Sequence, residues 1–271
     1  MNKKIKILSA DIDNISKQAL LKKLENGGVL FTPNVDHLMK LHRDTDFQQI
    51  YRQADYIVCD SKIVYWAAKF LGKKIKEKIS GSDFFPSFCQ YYKNNPNIKI
   101  FLLGGTEESV EIAKANINHK LSNPIVVGGY SPPIGFENDE EENRKIIDLI
   151  NKSSATVLAI GVGAPKQEKW ICRHKHKLTK VKIFMAVGAT INFEAGREKR
   201  SPKWMSEAGL EWLYRMVHNP RRLWRRYLID GLPFFWLILL QKLNLYNNNG
   251  LQAENQCIRS KNSLFKYKNE E

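Results

Sequence analysis

Asp60 and Ser61 stand between a short apolar run, Ile57-Val58-Cys59, and a segment in which Ile63, Val64, Ala67 and Ala68 recur at helical spacing. A carboxylate at such a junction has two uses. It can take a proton from an attacking hydroxyl, as a general base does. It can also cap the helix that follows, which Asp and Ser both do well. The apolar run reads as a buried strand, and in an open α/β sheet ligands enter the crevice beyond the carboxyl ends of the strands. Asp60 is thereby placed where chemistry is done.

Four other stretches place polar or glycine residues at the end of an apolar run or at the start of a helix. Thr32-Pro33-Asn34 follows Val29 to Phe31, where proline halts the strand and Thr32 and Asn34 offer polar side chains. A turn with a helix cap is the alternative there. Ser80-Gly81-Ser82-Asp83 opens a helix with Phe84, Phe85 and Phe88 on its apolar face. Gly81, Ser82 and Asp83 can receive phosphate on free backbone N–H groups or serve as an ordinary cap. Gly104-Gly105-Thr106 follows the strand candidate Ile98 to Leu103 and suits close approach of backbone to a nucleotide. It is not G-x-G-x-x-G, so the dinucleotide signal is absent. The strand Thr156 to Val162 runs into Gly161-Val162-Gly163-Ala164-Pro165-Lys166-Gln167-Glu168. Pro165 suits a first helical turn, which leaves Gln167 and Glu168 facing the crevice or solvent.

Other constellations carry less. Asp11-Ile12-Asp13 has the carboxylate pair that holds a metal–nucleotide in many sugar-transfer enzymes. Asn14 and Ser16 follow at once and open a helix, so a turn is the expected reading and no metal is assigned. Asp44-Thr45-Asp46 falls in a polar helical region, Asp36 to Ala54, and reads as solvated. Neither His37 with His42 nor His174 with His176 has the spacing of a helical zinc pair. No G-x-S-x-G elbow or Walker loop is present.

These stretches need a frame, and the chain supplies one. Strands alternate with helices from Ile5 to Val187, which predicts an α/β fold with a mostly parallel sheet. The first strand is expected over Ile5 to Ser9, and a helix capped by Ser16 runs to about Asn26. The 271 residues can bury a full core, and the 43% hydrophobic content fits a globular protein. Lys and Arg number 43 against 28 Asp and Glu, a formal net charge of +15, which calls for an anionic partner. The four cysteines are scattered with no C-x-x-C pair, so neither a zinc site nor a disulfide framework is indicated. The apolar run after Met1 is too short for a signal peptide. The longest, Leu232 to Leu240, is too short to span a bilayer. A cytoplasmic protein is expected.

Composition changes after Phe193. Between Arg197 and Tyr227 the basic residues Arg197, Lys199, Arg200, Lys203, Arg215, Arg221, Arg222, Arg225 and Arg226 are interleaved with Trp204, Trp212, Tyr214, Leu223 and Trp224. Pro220 divides two short helices. A basic, Trp-rich amphipathic segment next to an apolar run reads as membrane-surface binding. The alternative is a helical hairpin packed on the sheet with solvated arginines. The organisation expected is a catalytic unit over residues 1–195, a basic appendage over 196–246, and a disordered tail over 247–271.

Several of these stretches together resemble one family. They are Thr32-Pro33-Asn34 with His37-Leu38, Ala54-Asp55 through Cys59-Asp60, Gly81-Ser82-Asp83, Leu103-Gly104-Gly105, Gly161 through Glu168, and Val187-Gly188-Ala189. Ser201-Pro202-Lys203-Trp204, Glu211-Trp212, Asn219-Pro220-Arg221-Arg222 and Arg225-Arg226-Tyr227 complete the set. The chain is similar, from about residue 5 to about 245, to the WecG/TagA/CpsF bacterial glycosyltransferases. The resemblance implies a Rossmann-like α/β domain, helices on both faces, with a basic helical C-terminal appendage. It implies inverting, metal-independent sugar transfer from a UDP-sugar, without a cofactor, to an undecaprenyl-diphosphate-linked acceptor at the inner face of the cell membrane. Members build teichoic acid linkage units, enterobacterial common antigen or capsule, with N-acetylmannosamine or its uronic acid as the leading donor sugars and simple hexoses as alternatives. The family's base matches Asp60, and its donor-pocket residues match Thr32, Asn34 and Gln167. Two positions depart from the pattern: Ser61 replaces the usual glycine, and Lys78 stands where arginine is frequent, keeping charge but losing the bidentate fork.

Inversion needs one displacement, with Asp60 as base and cations meeting the charge of the leaving UDP. Arg221, Arg222, Arg225 and Arg226 are available for this if the appendage folds over the crevice. A nucleic-acid-binding module is the competing class, supported by the charge and the basic–aromatic mixture. Against it, Asp60 would repel phosphate. A noncatalytic scaffold of the same fold is a third reading, and a homo-oligomer is left open.

Overall fold

The computed structural model describes residues 3–247; the remainder of the tail, 248–271, and the side chains of Lys203, Arg222 and Arg226 lie outside the described residues. The chain begins with a hairpin. β1 (Lys4–Ile7) and β2 (Ala10–Asp13) pair antiparallel, Lys4 opposite Asp13 and Ile7 opposite Ala10. Leu8, with φ of 50°, turns the chain between them. The Asp11-Ile12-Asp13 stretch, expected as a turn, is therefore a strand. Ile5, Ile7, Ala10 and Ile12 drive this by facing the core, where all four are buried.

Six parallel strands form the main sheet in the order β4-β3-β8-β7-β5-β6. They are β3 (Gly28–Phe31), β4 (Tyr56–Ile57), β5 (Ile100–Gly104), β6 (Val126–Tyr130), β7 (Val157–Gly161) and β8 (Ile183–Ala186). Continuous apolar runs suit strands covered on both faces, and successive residues divide between two cores. Phe31, Phe101, Leu103, Leu158, Ile160 and Phe184 face one core. Leu30, Ile100, Leu102, Val157, Ala159 and Met185 face the other.

Helices cover both faces. α2 (Val35–Arg43), α3 (Thr45–Arg52), α4 (Lys62–Phe70), α7 (Glu140–Lys152) and α8 (Lys166–His174) pack with the hairpin on the first face. α1 (Lys17–Lys23), α5 (Gly81–Tyr91), α6 (Glu107–Leu121) and α9 (Thr190–Glu194) cover the second. The helical stretch expected over Asp36 to Ala54 is two helices. Asp44 ends the first and caps the second, accepting from the N–H groups of Asp46 and Phe47.

The basic segment folds as α10 (Lys203–Glu207), α11 (Glu211–His218) and α12 (Pro220–Trp224), the last extended by a π-helical turn over Arg225–Ile229. α13 (Pro233–Lys242) then returns to the sheet. Its Phe234 and Ile238 are buried in the first core. Gln241 accepts from the Leu8 N–H at 2.9 Å and Tyr246 meets Ser9 at 2.9 Å. The other face of α13 carries Leu232, Phe235, Trp236 and Leu239 into the open. Among the described residues no helix is long and apolar enough to cross a membrane.

Candidate active site

The loops after β3 and β8 leave adjacent strands toward opposite faces, into α2 and α9, and open a crevice at the carboxyl end of the sheet. Asp60 sits at its rim, two residues beyond buried Val58. Its backbone N–H donates to the Pro33 carbonyl at 3.2 Å, and its Oδ1 accepts from the Gly81 N–H at 3.3 Å. Capping of α4 falls to Ser61, whose hydroxyl accepts from the Val64 N–H at 3.2 Å. The carboxylate of Asp60 is thus spared that task. Burial, and next the charge of Glu211, raise its pKa to about 6, against the opposite pull of His37, Lys78 and Arg215. A base in that range is ionised at neutral pH yet holds a proton well. The neighbouring Cys59 thiol is pushed up to about 12, chiefly by burial, and is inert.

Asp60 opens into a cavity of about 200 Å³ shared with Asn34, Lys62, Lys78, Glu211 and Arg215. Trp212, Tyr227, Leu228, Leu232 and Phe235 from the C-terminal segment form its apolar wall. A second cavity of about 420 Å³ adjoins it, with Lys62, Lys78, Ser206 and Glu211 common to both and Ser82, Asp83 and Arg200 at its far side. Arg200 donates to Asp83 Oδ1 at 2.9 Å and to the Ser82 carbonyl at 2.8 Å, tying the start of the basic segment to α5. Asp83 also accepts from the Ser80 hydroxyl at 2.8 Å and pairs with Lys78 at 3.6 Å.

Thr32 is buried behind Gly81, where a Cβ would stand 3.1 Å from the threonine hydroxyl, a contact tight enough that the threonine would have to give by a few tenths of an ångström. Gly104 serves a similar purpose between strands: a Cβ there would lie 2.6 Å from the Gly161 carbonyl oxygen. Gly105 packs toward Asn192. Gly163, with φ of 87°, has open space where a Cβ would be, at the mouth of the loop after β7.

Asn34 caps α2 and accepts from the His37 N–H at 3.3 Å. Gln167 and Glu168 do not face solvent, one of the two orientations read from the sequence. Both are buried, because each has partners inside. Gln167 Oε1 accepts from the Gly188 N–H at 3.2 Å, and its Nε2 donates to Glu168 Oε1 at 2.8 Å. The same oxygen lies 3.3 Å from His37 Nε2. The second oxygen of Glu168 is buried without a partner, as is the Tyr51 hydroxyl.

The structure therefore brings Asn34, Asp60 and Lys78 to one cavity, with Ser82 and Asp83 in the next. Thr32, Gly81, Gln167 and Glu168 lie behind them, and Gly104, Gly105 and Gly163 at neighbouring strand ends. Arg221 and Arg225 are exposed and line neither cavity, while the side chains of Arg222 and Arg226 lie outside the described residues. Lys62, Glu211 and Arg215 line the cavity of Asp60 as well and are not among the site residues read from the sequence. One signal for the last two was present: they are four apart on one helix, so they share a face. Among the described residues no cluster of three or more His, Cys, Asp or Glu is arranged to hold a metal ion.

The profile of the family described as "Glycosyl transferase WecG/TagA/CpsF family" matches residues 5–248. A relative from Bacillus subtilis (strain 168), named N-acetylglucosaminyldiphosphoundecaprenol N-acetyl-beta-D-mannosaminyltransferase, is 26% identical over 235 residues, covering 87% of each chain. A protein of the same name from Staphylococcus aureus (strain MW2) is 25% identical over 240 residues, covering 86% of this chain and 90% of its own.

Proposed function

This chain belongs to the WecG/TagA/CpsF family of glycosyl transferases, and from that premise we propose that it moves N-acetylmannosamine, or its uronic acid, from a UDP-sugar to N-acetylglucosamine carried on undecaprenyl diphosphate. The names of its relatives support the acceptor and the transferred sugar. The observation that carries the reading is the convergence of Asp60 with Lys62, Lys78 and Arg215 in one cavity. A base and a set of cations are what a single displacement at an anomeric carbon requires.

Asp60 takes the proton of the acceptor hydroxyl as its oxygen bonds to the anomeric carbon. The bond from that carbon to the UDP oxygen breaks on the opposite face, so the configuration inverts. Lys62, Lys78 and Arg215 meet the charge growing on the diphosphate, which is how a metal-independent transferase stabilises its leaving group. Trp212 and Tyr227, half-buried in the cavity wall, limit the access of water to the activated donor. Residues 1–195 act as the catalytic unit and 196–246 as the appendage that completes it. The exposed apolar face of α13 and the basic charge of the segment before it suit the surface of an anionic membrane, where the acceptor resides.

The test is incubation with a lipid-diphosphate-linked N-acetylglucosamine and a panel of UDP-sugars, measuring UDP release and product mass. Acceptor-dependent release with one donor, abolished in Asp60→Asn, is the expected result. Release from no donor in the presence of acceptor overturns the proposal.

A further inference from the structure

Resting on that reading, we propose that Glu211 is a second active-site carboxylate, one that receives a hydroxyl of the acceptor sugar and turns the acceptor toward Asp60. Glu211 is the first residue of α11 and lines both cavities, the smaller of which also holds Asp60. It is half-buried, and its carboxylate forms no hydrogen bond or ion pair among the described residues. Three cations line the same space without closing on it: Lys62 and Lys78 from the α/β core and Arg215 one turn further along its own helix. Arg215 instead pairs with Glu198 at 3.8 Å and stacks over the Phe193 ring. A half-buried carboxylate with vacant lone pairs is a good acceptor for hydroxyl donors, and a sugar offers several.

Position selects the acceptor rather than the donor. Glu211 enters beside Trp212 and with the apolar wall of Tyr227, Leu232 and Phe235, the side of the cavity fit for a lipid-borne substrate. Thr32 and Gln167 lie away from it, by the ends of β3 and β8.

The two carboxylates also act on each other. The groups facing Asp60 are His37 from α2, Lys78 from the segment before α5, and Glu211 and Arg215 from α11. Lys62 on α4 and Asp36 on α2, the latter paired with Lys40, line the same cavity. Among the side chains felt at Asp60, Glu211 is the one that raises its proton affinity.

The experiment compares full-length wild type with Glu211→Gln and Glu211→Ala. In Glu211→Ala the KM for the acceptor is expected to rise about tenfold, the value of one hydrogen bond to a charged group, while the KM for the donor changes less than about twofold on the same scale. Glu211→Gln, which keeps one accepting oxygen, falls between, and its acid limb of kcat moves to lower pH. An unchanged acceptor KM and an unmoved acid limb in an active enzyme overturn the proposal and leave the reading of function intact. A wild type that transfers no sugar overturns that reading and the acceptor role with it. Melting temperatures at pH 8 for wild type, Glu211→Gln, Asp60→Asn and the double variant test the pairing without turnover. Glu211→Gln stabilises only where Asp60 is present; strictly additive shifts overturn the proposal.

Discussion

Nε2 of His37 lies 3.3 Å from Oε1 of Glu168, two side chains 131 residues apart in sequence and both buried. On its other side the imidazole Nδ1 is 2.9 Å from Asn34 Oδ1. Glu168 in turn accepts from Gln167, and Gln167 accepts from the Gly188 N–H. A continuous polar bridge thus runs beneath the crevice from the end of β3 to the end of β8. Asn34 reaches the cavity of Asp60 with its rotamer fixed by this bridge rather than by substrate.

Removing Glu168 leaves His37 and Gln167 with buried donors and no acceptor. Glu168→Ala is therefore expected to cost about 2–4 kcal/mol of stability, read as a lower urea midpoint. Glu168→Gln keeps an accepting oxygen and is expected to cost about 1 kcal/mol. Donor KM should rise in Glu168→Ala, since Asn34 loses its support. Equal stability of the two variants would show that the bridge is ornamental to the fold.

Asp60 carries a pH signature of its own. Its proton affinity is raised to about 6 by burial and then by Glu211, and in the proposed mechanism it accepts a proton only when ionised. Transfer should climb with pH through a single step near 6 and hold level above it. Stability moves the other way. A carboxyl whose folded pKa exceeds its unfolded value of 3.8 weakens the fold wherever it is ionised, and that cost fades as pH falls from 6 toward 3.8. Asp60→Asn should gain about 1–2 kcal/mol at pH 8, discounted for the partial exposure of the group, and nothing below pH 4. A variant equally stable with wild type at pH 8 would contradict the burial of the charge.

The legible parts of this molecule are those with local causes. A parallel strand covered on both faces is a run such as Ile100-Phe101-Leu102-Leu103, and a polar residue after it marks the crevice, as with Asp60. A cap such as Ser16 announces its helix within one turn. Other features depend on partners far along the chain. Asp13 looked like part of a turn, yet its Oδ2 accepts from the Ile57 N–H at 2.8 Å, across 44 residues, and closes the free edge of β4. Glu168 sits in a first turn whose face is set only when His37 arrives. The basic segment was the least legible. Arginine density drew attention to residues 221–226, while Glu211 and Arg215 of α11 line the cavity of Asp60 and α13 returns to the hairpin. No periodicity within that segment encodes the return.

His174 gives the fold an acid limit unrelated to catalysis. The ring is buried against Trp170, centroids 4.9 Å apart, and neither ring nitrogen has a hydrogen-bond partner. Burial first, then the neighbouring Lys177, Arg173 and His176, lower its pKa from 6.5 to about 4. The sign follows from proton counting. Between pH 6.5 and 4 the unfolded chain binds a proton here that the folded chain refuses, so stability is full above 6.5 and declines as the solution is acidified through that window. The loss is about 2–3 kcal/mol at the acid end. It opposes the recovery expected at Asp60, so wild type alone shows only the difference between the two. His174→Phe keeps the ring packed on Trp170 and removes the titration. Urea unfolding at pH 7.5 and pH 5 should find it at least as stable as wild type at the higher pH and clearly more stable at the lower. An identical decline in both proteins would assign the acid sensitivity to other groups and would require His174 to be solvated on folding, against its burial.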